Sequence, residues 1–315
     1  MSGFGRGRGT NDAAISPHDK IRGLMSEVIT EYRNENTKDI DIIPTIEMVK
    51  DMNDEDKIVA LAVEEELENI ADAIDLIAKQ FLKGGKLIYF GAGTSGRLGI
   101  LDATECPPTF SVEPNMVQGI IAGGETAFKT AIEGAEDDYE AGIEDAKILT
   151  KNDVAVVISA SGNPKYLLGV LAQAEKTDAH TIAITCNSKG EIAQEAEIVI
   201  CPEVGPEVIA GSSRLKAGTA QKMVLNMLST GAMIKIGKTY ENFMIDLKAS
   251  NEKLKDRAIK IVSGIAEVSY SEALAVLMKS SWEIKVAIVA LKLGMDVTKA
   301  RLELKKHGGV LRKAI

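Results

Sequence analysis

Between residues 87 and 201 the chain alternates short apolar runs with stretches of helical period, and this alternation constrains the fold more than anything else in the sequence. The apolar runs cover residues 87–90, 117–122, 154–159, 181–185 and 198–201. Several are near-continuously hydrophobic rather than alternating, as strands covered on both faces are. Helical stretches fill the gaps at residues 126–133, 138–149, 165–174 and 190–196. β and α units in turn predict the α/β class, with a three-layer, doubly wound, mostly parallel five-stranded sheet and right-handed crossovers. Ligands of such sheets sit beyond the carboxyl ends of the strands. The loops after Phe90, Ala122 and Ile158 therefore share one edge.

The flanks read as helix. An amphipathic segment opens at Asn53-Asp54-Glu55-Asp56, where Asn53 or Asp54 can cap it, and runs to Lys83 before Gly84-Gly85. A second long helix is expected over residues 212–237. After Asn251 come short helices at 252–265, 270–278, 282–293 and 297–306, punctuated by Gly264, Gly294 and Gly308-Gly309. The expected organisation is a disordered Gly/Arg tail at 1–16, a main domain at 17–250 and a small all-helical subdomain at 251–315.

Composition narrows the function. Aromatic residues make up 4% of the 315 and net charge is −9, which argues against a nucleic-acid partner but admits a small phosphorylated ligand. Cys106, Cys186 and Cys201, like His18, His180 and His307, are scattered, so neither a disulfide framework nor a metal site is expected. No apolar run reaches the ~18 residues of a membrane span, and the N-terminus lacks the apolar core of a signal peptide. The reading is a cytoplasmic protein without membrane contact.

The chemistry gathers in three stretches. Gly91-Ala-Gly93-Thr94-Ser95-Gly96 follows the first strand and opens a helix, the grammar of an anion delivered to a helix N-terminus. It fits GxGxxG, but Pro107-Pro108 should interrupt the helix a dinucleotide fold needs. Thr94 and Ser95 suit a terminal phosphate better than a pyrophosphate. Ser159-Ala-Ser161-Gly162-Asn163-Pro164 repeats the design after the third strand, although serine is also a good helix cap. Gly211-Ser-Ser213-Arg214-Leu-Lys216 opens the long helix with cations that oppose its macrodipole; either something anionic compensates, or Lys216 and Lys222 face solvent. Two carboxylates stand out beside these loops. Glu105 precedes the two prolines, and Glu136 lies in Glu133-Gly-Ala-Glu136-Asp-Asp, an acidic cluster of a kind that also caps helices or faces solvent. Two carboxylates in opposed protonation states are what acid–base chemistry at neutral pH requires.

The segments from Gly91 to Thr109, Glu133 to Asp137 and Gly211 to Lys222 resemble the N-acetylmuramic acid 6-phosphate etherases of the sugar-isomerase (SIS) superfamily. The resemblance runs from about Thr30 to His307-Gly-Gly. It implies a lyase that removes the D-lactyl ether from N-acetylmuramic acid 6-phosphate with consumption of water, giving N-acetylglucosamine 6-phosphate and D-lactate. It further implies no metal or organic cofactor, a cytoplasmic homodimer and a role in cell-wall sugar recycling. The matching glutamates make Glu105 an acid/base and Glu136 a second catalytic residue. Glu136 is expected to take the C2 proton while Glu105 protonates the leaving ether oxygen and then activates water. Gly93, Thr94, Ser95, Ser159, Ser161, Gly162, Ser213 and Lys216 form the expected substrate and phosphate set. Where many relatives carry Arg-Thr after the Ala-Ser-Gly turn, this chain has Asn163-Pro164. The competing functions are a non-catalytic sugar-phosphate-binding regulator and an aldose–ketose isomerase.

Overall fold

All five apolar runs become strands of one sheet. In the computed structural model, which describes residues 28–315, they are β1 (Leu87–Gly91), β2 (Val117–Ile121), β3 (Val154–Ser159), β4 (His180–Thr185) and β5 (Ile198–Ile200). The expected tail at 1–16 lies outside the described residues. The strands are ordered β2-β1-β3-β4-β5 and every pairing is parallel. Helices cover both faces, which makes this the doubly wound three-layer α/β fold. Leu87 and Tyr89 of β1 point into one layer, and Ile88 and Phe90 into the other. That is why the runs read as continuously apolar rather than alternating.

The first layer holds α1 (Thr45–Glu64), α2 (Leu67–Leu82), α3 (Gly93–Phe110) and α8 (Lys216–Lys235). The second packs around α6 (Lys165–Lys176), with α5 (Tyr139–Asp145) beside it; α4 (Thr126–Lys129) and α7 (Glu191–Glu195) are short. Three expectations need correction. The segment expected as one helix over 53–83 starts at Thr45, after Pro44, and breaks at Glu65-Glu66 into two. The run at 53–56 does not cap it, because it lies in the middle of α1, where Glu55 turns inward and is buried. The helix expected over 126–133 stops after one turn, because Arg97 of α3 donates to the carbonyls of Ala127 and Phe128 that a further turn would have used. Nor do Pro107-Pro108 interrupt α3. They lie within its last turn, which the helix completes without the N–H groups that would have bonded the carbonyls of Ala103 and Thr104, and it ends at Ser111 in a left-handed conformation.

Beyond α8 the chain forms a small hairpin, β6 (Thr239–Tyr240) with β7 (Phe243–Met244). Then come α9 (Glu252–Ala266), α10 (Tyr270–Lys279), α11 (Ile284–Lys292), α12 (Val297–Lys306) and α13 (Leu311–Ala314). These helices have a core of their own, including Val262, Leu277 and Ile288. That core also takes in Ile245 and Leu247, so it begins ahead of residue 251. Lys285 joins the two units: its Nζ donates to the carbonyls of Gly237, just past α8, and Gly309, and pairs with Asp246 at 2.5 Å. Among the described residues no single helix is long and apolar enough to cross a membrane.

Candidate active site

The strand order sets the position of the site. From β1 the chain crosses to β2 on one side and then to β3 on the other, so the crossovers diverge and a crevice opens beyond the carboxyl ends of β1 and β3. Gly91 lies opposite Ile158 in register, which places the Ala92–Ser95 and Ser159–Asn163 loops side by side. The helix start packs hard onto the strand end. A Cβ on Gly91 would come within 2.6 Å of the Gly96 nitrogen, and one on Gly96 within 2.6 Å of the Gly91 oxygen. Only glycine fits at either position, and the turn into α3 is correspondingly tight.

That turn leaves donors free. Ala92 caps α3 with no side-chain hydrogen bond, and the first intrahelical bond runs from the Gly96 amide to the Ala92 carbonyl at 3.3 Å. The amides of Gly93, Thr94 and Ser95 therefore point out of an 18-residue helix toward the crevice. Opposite them, Ser159 and Ser161 place their Oγ atoms 3.3 Å apart, and Ser159 Oγ accepts from the Gly162 amide at 3.1 Å. Gly162 holds φ at +79°, a turn that a side chain would strain. Asn187 supports the loop from beneath, its Nδ2 donating to the Ser161 carbonyl at 2.8 Å. Asn163 also has a local use: its Oδ1 accepts from the Glu191 amide at 3.0 Å, fixing the start of α7. Pro164 caps α6.

Two expected ligand contacts go elsewhere. Ser95 is buried and donates its hydroxyl proton to Gln221 Oε1 of α8 at 3.0 Å, so a phosphate can use its amide but not its side-chain donor. Lys216 is 1% exposed, and its Nζ lies 2.5 Å from Glu55 Oε2. The backbone amides of Lys216 and Ala217 donate to the Glu207 carboxylate at 2.8 and 3.0 Å. The anion compensating this basic helix start is therefore the protein's own. Burial raises the Glu207 carboxyl above its ordinary value, against the lowering effect of those two amides. For Glu55 burial also raises, but hydrogen bonds from Lys216, Asn36 and Asn34 prevail and hold it low. Lys222 does not stand free either; it reaches Asp102 Oδ1 at 3.4 Å and also Asn226. Ser213 stays beside the crevice: the α8 amide at Gly218 donates to its carbonyl at 2.9 Å, and a Cβ on that glycine would meet Thr94 Cγ2 at 3.5 Å.

The glutamates part company. Glu136 lies in the single turn Ala135–Asp137 and lines a cleft of about 250 Å³ with Gly93, Arg97, Ile132 and Glu133. Glu105 is exposed on α3, outside that cleft and twelve residues beyond Gly93. At 1.5 Å per residue that is ~18 Å along the helix axis. Within one chain the structure brings Glu136, but not Glu105, to the start of α3. The direction of Glu105 follows from the buried face of α3, which carries Gly99, Asp102 and Cys106, rather than from a break at the prolines. Burial pushes the Cys106 thiol up to about 12, which leaves it inert as a nucleophile. Among the described residues no three His, Cys, Asp or Glu side chains cluster to hold a metal ion. Sequence reasoning passed over Arg97 and Glu133, although both stand within the stretches it quoted.

Residues 69–175 match the glucokinase regulatory protein N-terminal SIS domain, 133–231 the SIS domain, and 241–286 the C-terminal lid domain of glucokinase regulatory protein. An N-acetylmuramic acid 6-phosphate etherase of Clostridium beijerinckii is 52% identical over 92% of this chain and 96% of its own. One from Vibrio atlanticus is 49% identical over 97% and 98%. A phosphoheptose isomerase from Francisella tularensis is 17% identical, with a TM-score of 0.49 over 61% of this chain and 100% of its own.

Proposed function

The chain belongs to the N-acetylmuramic acid 6-phosphate etherase family, and on that premise we propose how its site cleaves the D-lactyl ether of N-acetylmuramic acid 6-phosphate. The observation that carries the reading is the crevice between β1 and β3. An uncapped helix N-terminus faces a two-serine turn there, and a glutamate stands in the adjoining cleft. Phosphate is held by the amides of Gly93, Thr94 and Ser95, the Thr94 hydroxyl, and Ser159, Ser161 and Gly162 across from them, with Ser213 at the margin. Lys216 supports this set from inside the fold.

With the phosphate fixed, the open-chain sugar has its C2 proton acidified by the C1 aldehyde. Glu136 removes that proton, and the electron pair forms the C2–C3 double bond as the C3–O bond to lactate breaks. Glu105 gives its proton to the departing oxygen. Now ionised, Glu105 takes a proton from water as the oxygen adds at C3, and Glu136 returns its proton to C2. The sum is ether plus water to alcohol plus lactate. Each proton transfer is worth roughly 10²–10⁴-fold.

The two glutamates serve one site when Glu105 comes from a second copy, and we propose a homodimer on that ground. Leu101, 43% exposed, lies one turn before Glu105 on the open face of α3, where such a copy would pack. The reaction belongs in the cytoplasm, in the recycling of peptidoglycan amino sugars.

Purified protein given the phosphorylated muramic sugar in deuterium oxide should release D-lactate and leave deuterium at C2. Binding without lactate would leave a sugar-phosphate regulator, and aldose–ketose interconversion without lactate an isomerase. Glu105→Gln should abolish turnover while retaining sugar-phosphate binding. Unchanged turnover in that variant would remove Glu105 from the mechanism.

A further inference from the structure

Arg97 stands in the first turns of α3, just past the three phosphate-facing amides, and is the only cation lining the cleft that holds Glu133 and Glu136 among the described residues. Its guanidinium is not paired with either acid. Instead Nε donates to the Phe128 carbonyl at 3.0 Å and Nη2 to the Ala127 carbonyl at 2.8 Å. These are the carbonyls that would accept from Ala131 and Ile132 if α4 continued. By taking them, Arg97 ends α4 after Lys129 and turns the chain into the Ala131–Glu136 segment that walls the cleft. The same side chain thus links the helix that presents the phosphate amides to the segment that carries the glutamate.

We propose that Arg97 is a positioning residue for the C2 proton transfer, setting the distance between the bound phosphate and the Glu136 carboxylate. The inference rests on the assignment of Glu136 to C2 made above. The fork geometry explains why arginine stands here. Two N–H groups held in one plane reach two successive carbonyls, which the single point charge of lysine does not reproduce. A sugar anchored at one end by its phosphate needs its C2 hydrogen within reach of the base at the other, and a misplacement of about 1 Å costs ~10²-fold in rate.

The test follows exchange of the C2 hydrogen for deuterium in N-acetylglucosamine 6-phosphate dissolved in deuterium oxide. There the C2–H bond breaks, the proton passes to Glu136 and on to solvent, and a C2–D bond forms, with no lactate involved. Arg97→Ala should slow exchange and lactate release together by ~10²-fold at saturating sugar, while binding of the sugar phosphate stays within about threefold of wild type. Arg97→Lys, which keeps the charge, should lie between; should the alanine variant fail to fold, the lysine variant carries the test. Wild-type exchange in Arg97→Ala, or in Arg97→Lys where the alanine variant does not fold, overturns the proposal, as does a loss confined to binding with normal exchange at saturation. Glu136→Gln is run in parallel. If that variant exchanges at the wild-type rate, the assignment of Glu136 fails, and this failure is separate from any result at Arg97.

Discussion

Helices α3 and α8 begin side by side at the same edge of the sheet, and their N-termini are used in opposite ways. The start of α3 is glycine-rich and uncapped, and its first amides face the crevice. The start of α8 is closed from within, its amides taken by the Glu207 carboxylate and its lysine by Glu55. Both starts look like anion sites in the sequence, since each joins small and hydroxylated residues to a helix and the second adds cations. What separates them is whether a carboxylate distant in sequence already occupies the position. An open N-terminus is available to a ligand, whereas one filled by the protein's own acid holds the fold together.

The largest effect expected from this contrast lies on the closed side. Lys216→Met removes one partner of a buried pair and strands the Glu55 charge, at a cost of roughly 3–5 kcal/mol in unfolding free energy. Adding Glu55→Gln should restore a good part of that loss, because a neutral amide next to methionine carries no stranded charge. Denaturant unfolding of the two variants checks both statements. A Lys216→Met protein of normal stability with a KM raised tenfold or more would mean that the ammonium serves the ligand after all. On the open side, Ser161→Ala removes a hydroxyl proposed to donate to phosphate. A hydrogen bond to a charged group is worth about 1.5–3 kcal/mol, so KM should rise roughly 10- to 100-fold with little change in stability. Steady-state kinetics and a melting curve separate the two.

Glu207 gives a smaller effect, with a sign. Its folded carboxyl titrates above the ordinary value of 4.5 because it is buried. The native state therefore holds this proton more tightly than the unfolded chain does. Glu207 then contributes a loss of stability as pH rises from about 4.5 through its raised value, and relief of that loss as pH falls back. Stability measured against pH in wild type and Glu207→Gln should diverge in that window, with the wild type showing the steeper decline as pH rises. Parallel curves would place the carboxylate in a solvated setting and leave the α8 terminus open.

Much of this fold is written in burial, and burial is what hydrophobic periodicity reports. Residues 154–159 read as a strand and form one over the same span, because every residue of β3 is buried. The two candidate phosphate loops are legible for a related reason, since small and hydroxylated residues follow directly on buried strands. What does not show is any side chain whose destination is set by a distant partner. Glu55 lies in a run that looks like a solvent-facing helix cap, and it goes inside because Lys216, 161 positions away, meets it there. The early end of α4 is likewise invisible locally, since the residue that ends it is Arg97, about 30 positions back. The separation of Glu105 from the cleft follows from its place far along α3 from Gly93 and off the buried face that carries Gly99, Asp102 and Cys106.

Ser95 gives the finest test of open against closed, because it belongs to both. Its backbone is part of the uncapped α3 turn, while its hydroxyl is spent on Gln221 of α8. Ser95→Ala leaves the amide in place and removes only the inward bond. The Gln221 amide, whose Nε2 already lacks a partner among the described residues, then loses its remaining side-chain contact to α3. An unsatisfied buried polar group costs about 1–3 kcal/mol, and here the low end applies because the serine goes with its own desolvation. The expected outcome is a melting temperature lowered by a few degrees and a KM within about twofold of wild type, beside the large KM change of Ser161→Ala. If Ser95→Ala raises KM as far as Ser161→Ala does, the hydroxyl rotates to the phosphate when substrate binds. The α3 turn would then recognise its ligand through a side chain as well as through the helix amides.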